Sequence, residues 1–128
     1  MTKYNLSDAE YEIMKYIWEC DEPASFREIL AYTGEIGHTW KKQTVQTFLT
    51  RLIGKGALQA ERRGNRHYYS PTMTETEYLS EWTKELLNEN FEGSLKKFMV
   101  AFTGGKTLTE SEAKELHDFL EDEGTGES

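Results

Sequence analysis

A single cysteine, Cys20, is the only thiol in 128 residues. It excludes an internal disulfide and fits a reducing compartment. No apolar run approaches the length of a membrane span, and the N-terminus lacks the layout of a signal peptide. A cytoplasmic protein with no membrane partner is expected. Nor is there a Gly-rich phosphate loop, a nucleophile–base arrangement or a metal-ligand spacing. His38, His67 and His117 are dispersed, and the pairs Glu75/Glu77 and Glu110/Glu112 resemble catalytic carboxylates only by count. The expectation is a protein that is not an enzyme and that uses no cofactor and no metal.

Basic charge is also short, with 15 Lys and Arg against 23 Asp and Glu and a net charge of -8. Taken whole, that balance argues against nucleic acid as a partner; taken by region, it does not. Residues 1–71 hold 10 basic against 9 acidic side chains, whereas residues 72–128 hold 5 against 14. Within 38–68 stand seven basic residues, Lys41, Lys42, Arg51, Lys55, Arg62, Arg63 and Arg66, and one acid, Glu61. The positive charge is gathered in one stretch, and the acidic half points to a different task.

That stretch reads as an amphipathic helix followed by a hairpin. Val45, Phe48, Leu49, Leu52 and Ile53 recur at i, i+3, i+4, i+7 and i+8, which predicts one buried stripe. The opposite face carries Lys42, Gln43, Gln46, Thr47, Thr50 and Arg51: amides, hydroxyls and cations, without a carboxylate. Such side chains suit base edges and phosphates in a major groove. Gly56 is placed to end the helix. Leu58 to Arg62 and Arg66 to Ser70 read as strands joined at Gly64-Asn65. A polar helix followed by a basic hairpin is the pattern of a winged helix-turn-helix.

Upstream, Ser7-x-x-Glu10 forms a capping box with Leu6 and Tyr11 as a hydrophobic staple, and Ile13, Met14, Ile17 and Trp18 supply the buried stripe of helix one. Asp21-Glu22-Pro23 breaks it. A second capping box, Ser25-x-x-Glu28, opens helix two, which buries Phe26, Ile29 and Leu30 and ends near Gly34. Downstream, Thr72 to Asn90 reads as a helix with Tyr78, Leu79, Trp82, Leu86 and Leu87 inward. Leu95, Phe98, Met99 and Phe102 repeat the helical spacing after Ser94, and Thr109-x-x-Glu112 starts a third helix with Ala113, Leu116, Phe119 and Leu120 inward. Three short helices cannot cover so many apolar side chains alone. Pairing with a second copy would, so 72–120 is expected to be a dimerisation domain. The interface is expected at Leu79, Trp82, Leu86, Leu95, Phe98, Met99, Phe102, Leu116, Phe119 and Leu120. Residues 121–128 form an acidic tail expected to be disordered. The fold class expected is mainly α with a small β wing: a winged helix-turn-helix over 1–71, then a three-helix dimerisation domain.

The chain resembles the penicillinase-repressor family of bacterial transcription regulators, the BlaI/MecI group with the copper-responsive CopY-type members. The resemblance rests on Leu6-Ser7-x-Ala9-Glu10-x-x-Ile13-Met14-x-x-Ile17-Trp18, on Lys42-x-Thr44-Val45-x-Thr47-x-Leu49-Thr50-Arg51-Leu52, on Lys55-Gly56-x-Leu58 and on Tyr68-Tyr69-Ser70-Pro71. It continues through Phe98-Met99-Val100-Ala101-Phe102 and Leu108-Thr109-x-x-Glu112-x-x-Glu115-Leu116. It implies a homodimeric repressor on a palindromic operator, released by a signal such as antibiotic-linked proteolysis or a metal. Relatives cut by a sensor protease have an Asn-Phe bond where this chain has Ala101-Phe102, the matching cleavage position. Copper-responsive relatives carry Cys-x-Cys pairs that this chain lacks, and cuprous ions need soft thiolates. Gln43 and Gln46 stand where relatives often place Lys and Arg.

The sequence therefore predicts a repressor bound to double-stranded operator DNA. Lys41, Lys42, Arg51, Arg62, Arg63 and Arg66 are expected on phosphates, giving affinity and salt dependence. Gln43, Thr44, Gln46 and Thr47 are expected at base edges, giving specificity. An acidic adaptor whose winged helix serves protein–protein contacts is the alternative.

Overall fold

Capping boxes decide where most of the helices begin. In a computed structural model that describes residues 5–124, α1 spans Asp8–Glu19, α2 Phe26–Glu35 and α3 Lys42–Gly54. They are followed by α4 (Glu75–Phe91), α5 (Leu95–Thr103) and α6 (Glu110–Phe119). Ser7 and Ser25 each accept from the backbone N–H three residues on, and Glu10 and Glu28 return the bond. Helix α4 starts at Glu75 rather than Thr72, because Thr74 and Glu77 form a further reciprocal pair. Thr72 is drawn the other way, its hydroxyl donating to the Gly56 carbonyl at 2.6 Å.

The sheet has three strands in the order β1-β3-β2, all antiparallel. Strands β2 (Leu58–Arg63) and β3 (Arg66–Pro71) form the expected hairpin, closed by Gly64-Asn65 with Gly64 at φ +64°. The sequence reading missed β1, the two residues Ala24–Ser25, which pair with Tyr69 and Tyr68. Two residues carry no readable alternation. They become a strand because β3 offers a free edge beside the turn that Pro23 makes.

The chain divides into two compact units between Leu86 and Leu87. The first has a closed core in which Ile13, Met14, Ile29, Val45, Leu49 and Leu52 are fully buried. Tyr69 points into it and Tyr68 does not, as strand alternation requires. Met73 and Tyr78 extend the core to the start of α4, where Trp18 donates its indole N–H to the Met73 carbonyl at 2.9 Å. Ile53 departs from its expected place: it is exposed, one step beyond the width that α1 and β2 cover.

The second unit buries differently. Ser94 and Thr109 cap α5 and α6 by side-chain acceptance from Lys97 and Glu112, and Gly104 ends α5 in the left-handed region. Phe91 and Phe98 meet edge to face, their ring centroids 5.5 Å apart. Neither α5 nor α6 contains a buried residue. Leu95, Phe102, Leu116, Phe119 and Leu120, read as inward, are exposed in the single chain, and so is Ala113. In the first unit, Leu79 and Trp82 are exposed as well. Helix α6 runs on into a π-helical turn over Leu120–Gly124. The expected acidic tail falls partly beyond it, and residues 125–128 lie outside the described residues.

Candidate nucleic-acid interface

Helix α3 owes its polar face to position rather than to composition alone. Val45, Leu49 and Leu52 are drawn into the core, with Phe48 half-buried beside them. That arrangement turns Lys42, Gln43, Gln46, Thr47, Thr50 and Arg51 to solvent, and leaves Thr44 half-buried at the edge. Thr47 donates its hydroxyl to the Gln43 carbonyl at 2.9 Å, which fixes its rotamer while the amides of Gln43 and Gln46 stay open.

The N-terminus of α3 differs from those of the other five helices. Lys41 occupies the N-cap without a side-chain cap, and no acidic residue lies in the first turn. Elsewhere Ser7, Ser25, Thr74, Ser94 and Thr109 fill that role. The first N–H groups of α3 thus face outward with the positive end of the helix dipole, flanked by Lys41 and Lys42. This arrangement suits an anion such as a backbone phosphate.

Two contacts set how α3 is held, and no local pattern in the sequence announces either. His38, in the turn before the helix, bonds Glu12 on α1 and stacks on Trp40 with ring centroids 3.7 Å apart. Trp40 in turn meets Phe48 edge to face at 5.0 Å. At the far end, Lys55 donates to buried Glu10 and to the Asn5 carbonyl. Burial of Glu10 disfavours its charge. The Lys55 hydrogen bond, the Ser7 backbone N–H and the Lys55 charge outweigh that and hold its carboxyl below the usual carboxylate range. One residue therefore caps α1 and anchors the end of α3. The partners lie 26 and 45 residues apart in sequence, too far for any periodicity to reveal.

The wing carries three arginines in three states. Arg62 donates from Nε to the Gly64 carbonyl at 2.9 Å. Arg63 lies 3.1 Å from the Glu61 carboxylate and 4.9 Å over the Tyr68 ring. Arg66 is exposed and, among the described residues, forms no ion pair; the same holds for Lys41, Lys42 and Arg51. Cys20 donates its thiol to the Tyr16 carbonyl, and burial pushes its pKa up, away from nucleophilic use. Ala101 and Phe102 stand exposed near the end of α5. Among the described residues, no three His, Cys, Asp or Glu side chains converge, and no helix is long and apolar enough to cross a membrane.

Three helices, the third presenting an acid-free polar face, and an antiparallel hairpin beside it define a winged helix-turn-helix. Residues 6–122 match the model of the penicillinase repressor family. The chain belongs to that family. It is 33% identical over 117 residues to the penicillinase repressor of Bacillus licheniformis, spanning 91% of this chain and 90% of that protein. It is 26% identical to the methicillin resistance regulatory protein MecI of Staphylococcus aureus strain N315, over 91% of this chain and 94% of the relative. Among solved structures, the DNA-binding domain of the repressor BlaI matches with a TM-score of 0.53 and 37% identity, covering 61% of this chain and 94% of that domain.

Proposed function

We propose that this protein is a transcriptional repressor that grips a palindromic operator as a homodimer. The observation that carries the reading is the outward face of α3: acid-free, amide-rich, uncapped at its N-terminus and flanked by Lys41, Lys42 and Arg51. Such a face reads bases with Gln43, Thr44, Gln46 and Thr47 while its cations and the wing's Arg62, Arg63 and Arg66 neutralise phosphates. The family supports the same reading, since the Bacillus licheniformis relative is a penicillinase repressor and the BlaI domain of like fold is the DNA-binding domain of a repressor.

Pairing is assigned to the 72–120 region, through the stripe of Leu95, Phe98, Met99, Phe102, Leu116, Phe119 and Leu120, with Leu86 at its start. These apolar groups are exposed or only half-covered in one chain, which a second copy would remedy. Two readers held at fixed spacing bind two half-sites at high mutual effective concentration. Release then requires only that pairing be weakened. A cut at Ala101-Phe102 would do so by detaching α6, and the agent would be a sensor protease.

The test is a binding titration of the full chain against the DNA upstream of its own gene, beside random duplex, over a range of salt. The expected result is preference for one inverted repeat, with log affinity falling linearly in log salt. Equal affinity for both duplexes would overturn the reading and favour the acidic adaptor acting through protein contacts.

A further inference from the structure

The winged-helix unit has a second concavity that the face of α3 does not use. Where α4 leans on α1, Leu6, Asp8, Tyr11, Tyr78, Leu79 and Trp82 line a cleft of about 290 Å³. Tyr11 and Tyr78 stand with ring centroids 5.7 Å apart, and Trp18 backs both, at 6.0 Å from Tyr11 and 5.6 Å from Tyr78. Buried Tyr78 is thereby fixed, while Trp82 remains 46% exposed beside it. Among the described residues of the lining, the one charged group is the Asp8 carboxylate. Asp8 is exposed and forms no ion pair among the described residues.

We propose that this cleft binds a small organic cation with apolar substituents, of the quaternary ammonium class. Aromatic faces attract a weakly hydrated cation through their quadrupole, and the attraction grows where water is excluded. Asp8 adds charge complementarity at the rim, and among the described residues of the lining there is no Lys or Arg to oppose it. An inorganic divalent ion is a poor match, because one carboxylate among apolar walls leaves its coordination unfilled. An anion would meet Asp8 with nothing to offset the repulsion. The inference stands apart from the DNA reading, since none of these six residues lies on α3 or the wing.

Choline, as a soluble probe, is titrated into the full chain at low ionic strength beside its neutral isostere 3,3-dimethylbutan-1-ol. Tryptophan fluorescence and the thermal midpoint report binding. Choline should bind saturably and at least tenfold more tightly than the alcohol. Asp8→Asn should weaken choline several-fold and remove most of the salt dependence. Trp82→Leu keeps apolar bulk but removes the ring, and should cost choline about tenfold while leaving the alcohol unchanged. Both positions are exposed, and circular dichroism verifies that each variant keeps its helices. No saturable binding, equal binding of probe and isostere, or unchanged affinity in both variants would overturn the proposal. So would a change of sedimentation coefficient in Trp82→Leu in place of lost choline affinity, because the cleft would then be covered by a second copy.

Discussion

Helices α1 and α6 are built alike and end up differently. Each begins with a reciprocal capping box, Ser7 with Glu10 and Thr109 with Glu112, and each has apolar residues at helical spacing. Yet α1 buries Ile13, Met14 and Ile17 to within 1% of full exclusion, while Leu116 and Phe119 of α6 remain 39% and 51% exposed. Their local instructions are equivalent. What differs is supply: α1 is enclosed by α2, α3 and β3, whereas α6 meets α5 along an open apolar pocket lined by Met99, Phe102, Leu116 and Phe119. An amphipathic pattern states which face seeks cover and not what covers it.

The comparison breaks first where the closed core is opened. Leu49→Ala leaves a cavity under α3 and should cost about 2–5 kcal/mol, seen as a lowered denaturant midpoint of the winged-helix unit. Phe119→Asp should leave that midpoint unchanged, because the site is open in the single chain. Its effect should fall on assembly instead. Sedimentation should show a monomer, with operator affinity reduced at least tenfold through loss of linked half-sites. A Phe119→Asp protein that stays dimeric with undiminished operator binding would move the pairing surface elsewhere. Phe119 is a cleaner probe than Phe98, whose ring also contacts Phe91 and Phe102 within the chain.

Next comes the pair that ties α3 to α1. Lys55→Met would strand a buried carboxylate and should destabilise the winged-helix unit by about 1–3 kcal/mol at neutral pH. The folded pKa of Glu10 is depressed, so its contribution is complete above the ordinary carboxylate pKa and is lost as pH falls through the lower folded value. The parent should therefore lose stability on acidification over that window, and Lys55→Met should lose less. A parallel acid profile for both proteins would show that Glu10 is stabilised by its cap alone.

The smaller effects lie on the proposed DNA face. Gln46→Ala should lower specific binding by about 1–3 kcal/mol while sparing random DNA, since amide contacts discriminate bases. An unchanged ratio of specific to random binding would place base readout elsewhere. The wing should show a graded response. Arg66→Ala should flatten the slope of log affinity against log salt by about one unit per lost phosphate contact. Arg63→Ala should do less, because Glu61 and the Tyr68 ring already engage that guanidinium. Equal slopes for the two variants would mean that DNA breaks the Glu61 pairing outright.

Much of this was legible in the chain because the deciding interactions are local. The capping boxes join residues three apart, the buried stripe of α3 repeats at three and four, and Gly64-Asn65 closes a hairpin between adjacent strands. Composition by region likewise revealed where positive charge gathers. Ile53 was misread because the apolar spacing of a helix extends beyond the width that its neighbours cover. The edge strand Ala24–Ser25 escaped because pairing with Tyr69 and Tyr68 is a property of β3, not of those two residues.

By itself the sequence determined which residues would be helical, where most of the helices start and end, and which sides of them would seek burial or water. Backbone hydrogen bonding and periodicity act within a few residues, so the chain carries that information in order. Only the tertiary structure decided that Lys55 answers Glu10, that His38 and Trp40 brace the entry to α3, and that Tyr11, Tyr78 and Trp82 enclose a cleft with a carboxylate at its rim. Those contacts join positions tens of residues apart. Their energies depend on distance in space and on exclusion of water, neither of which exists until the elements have packed.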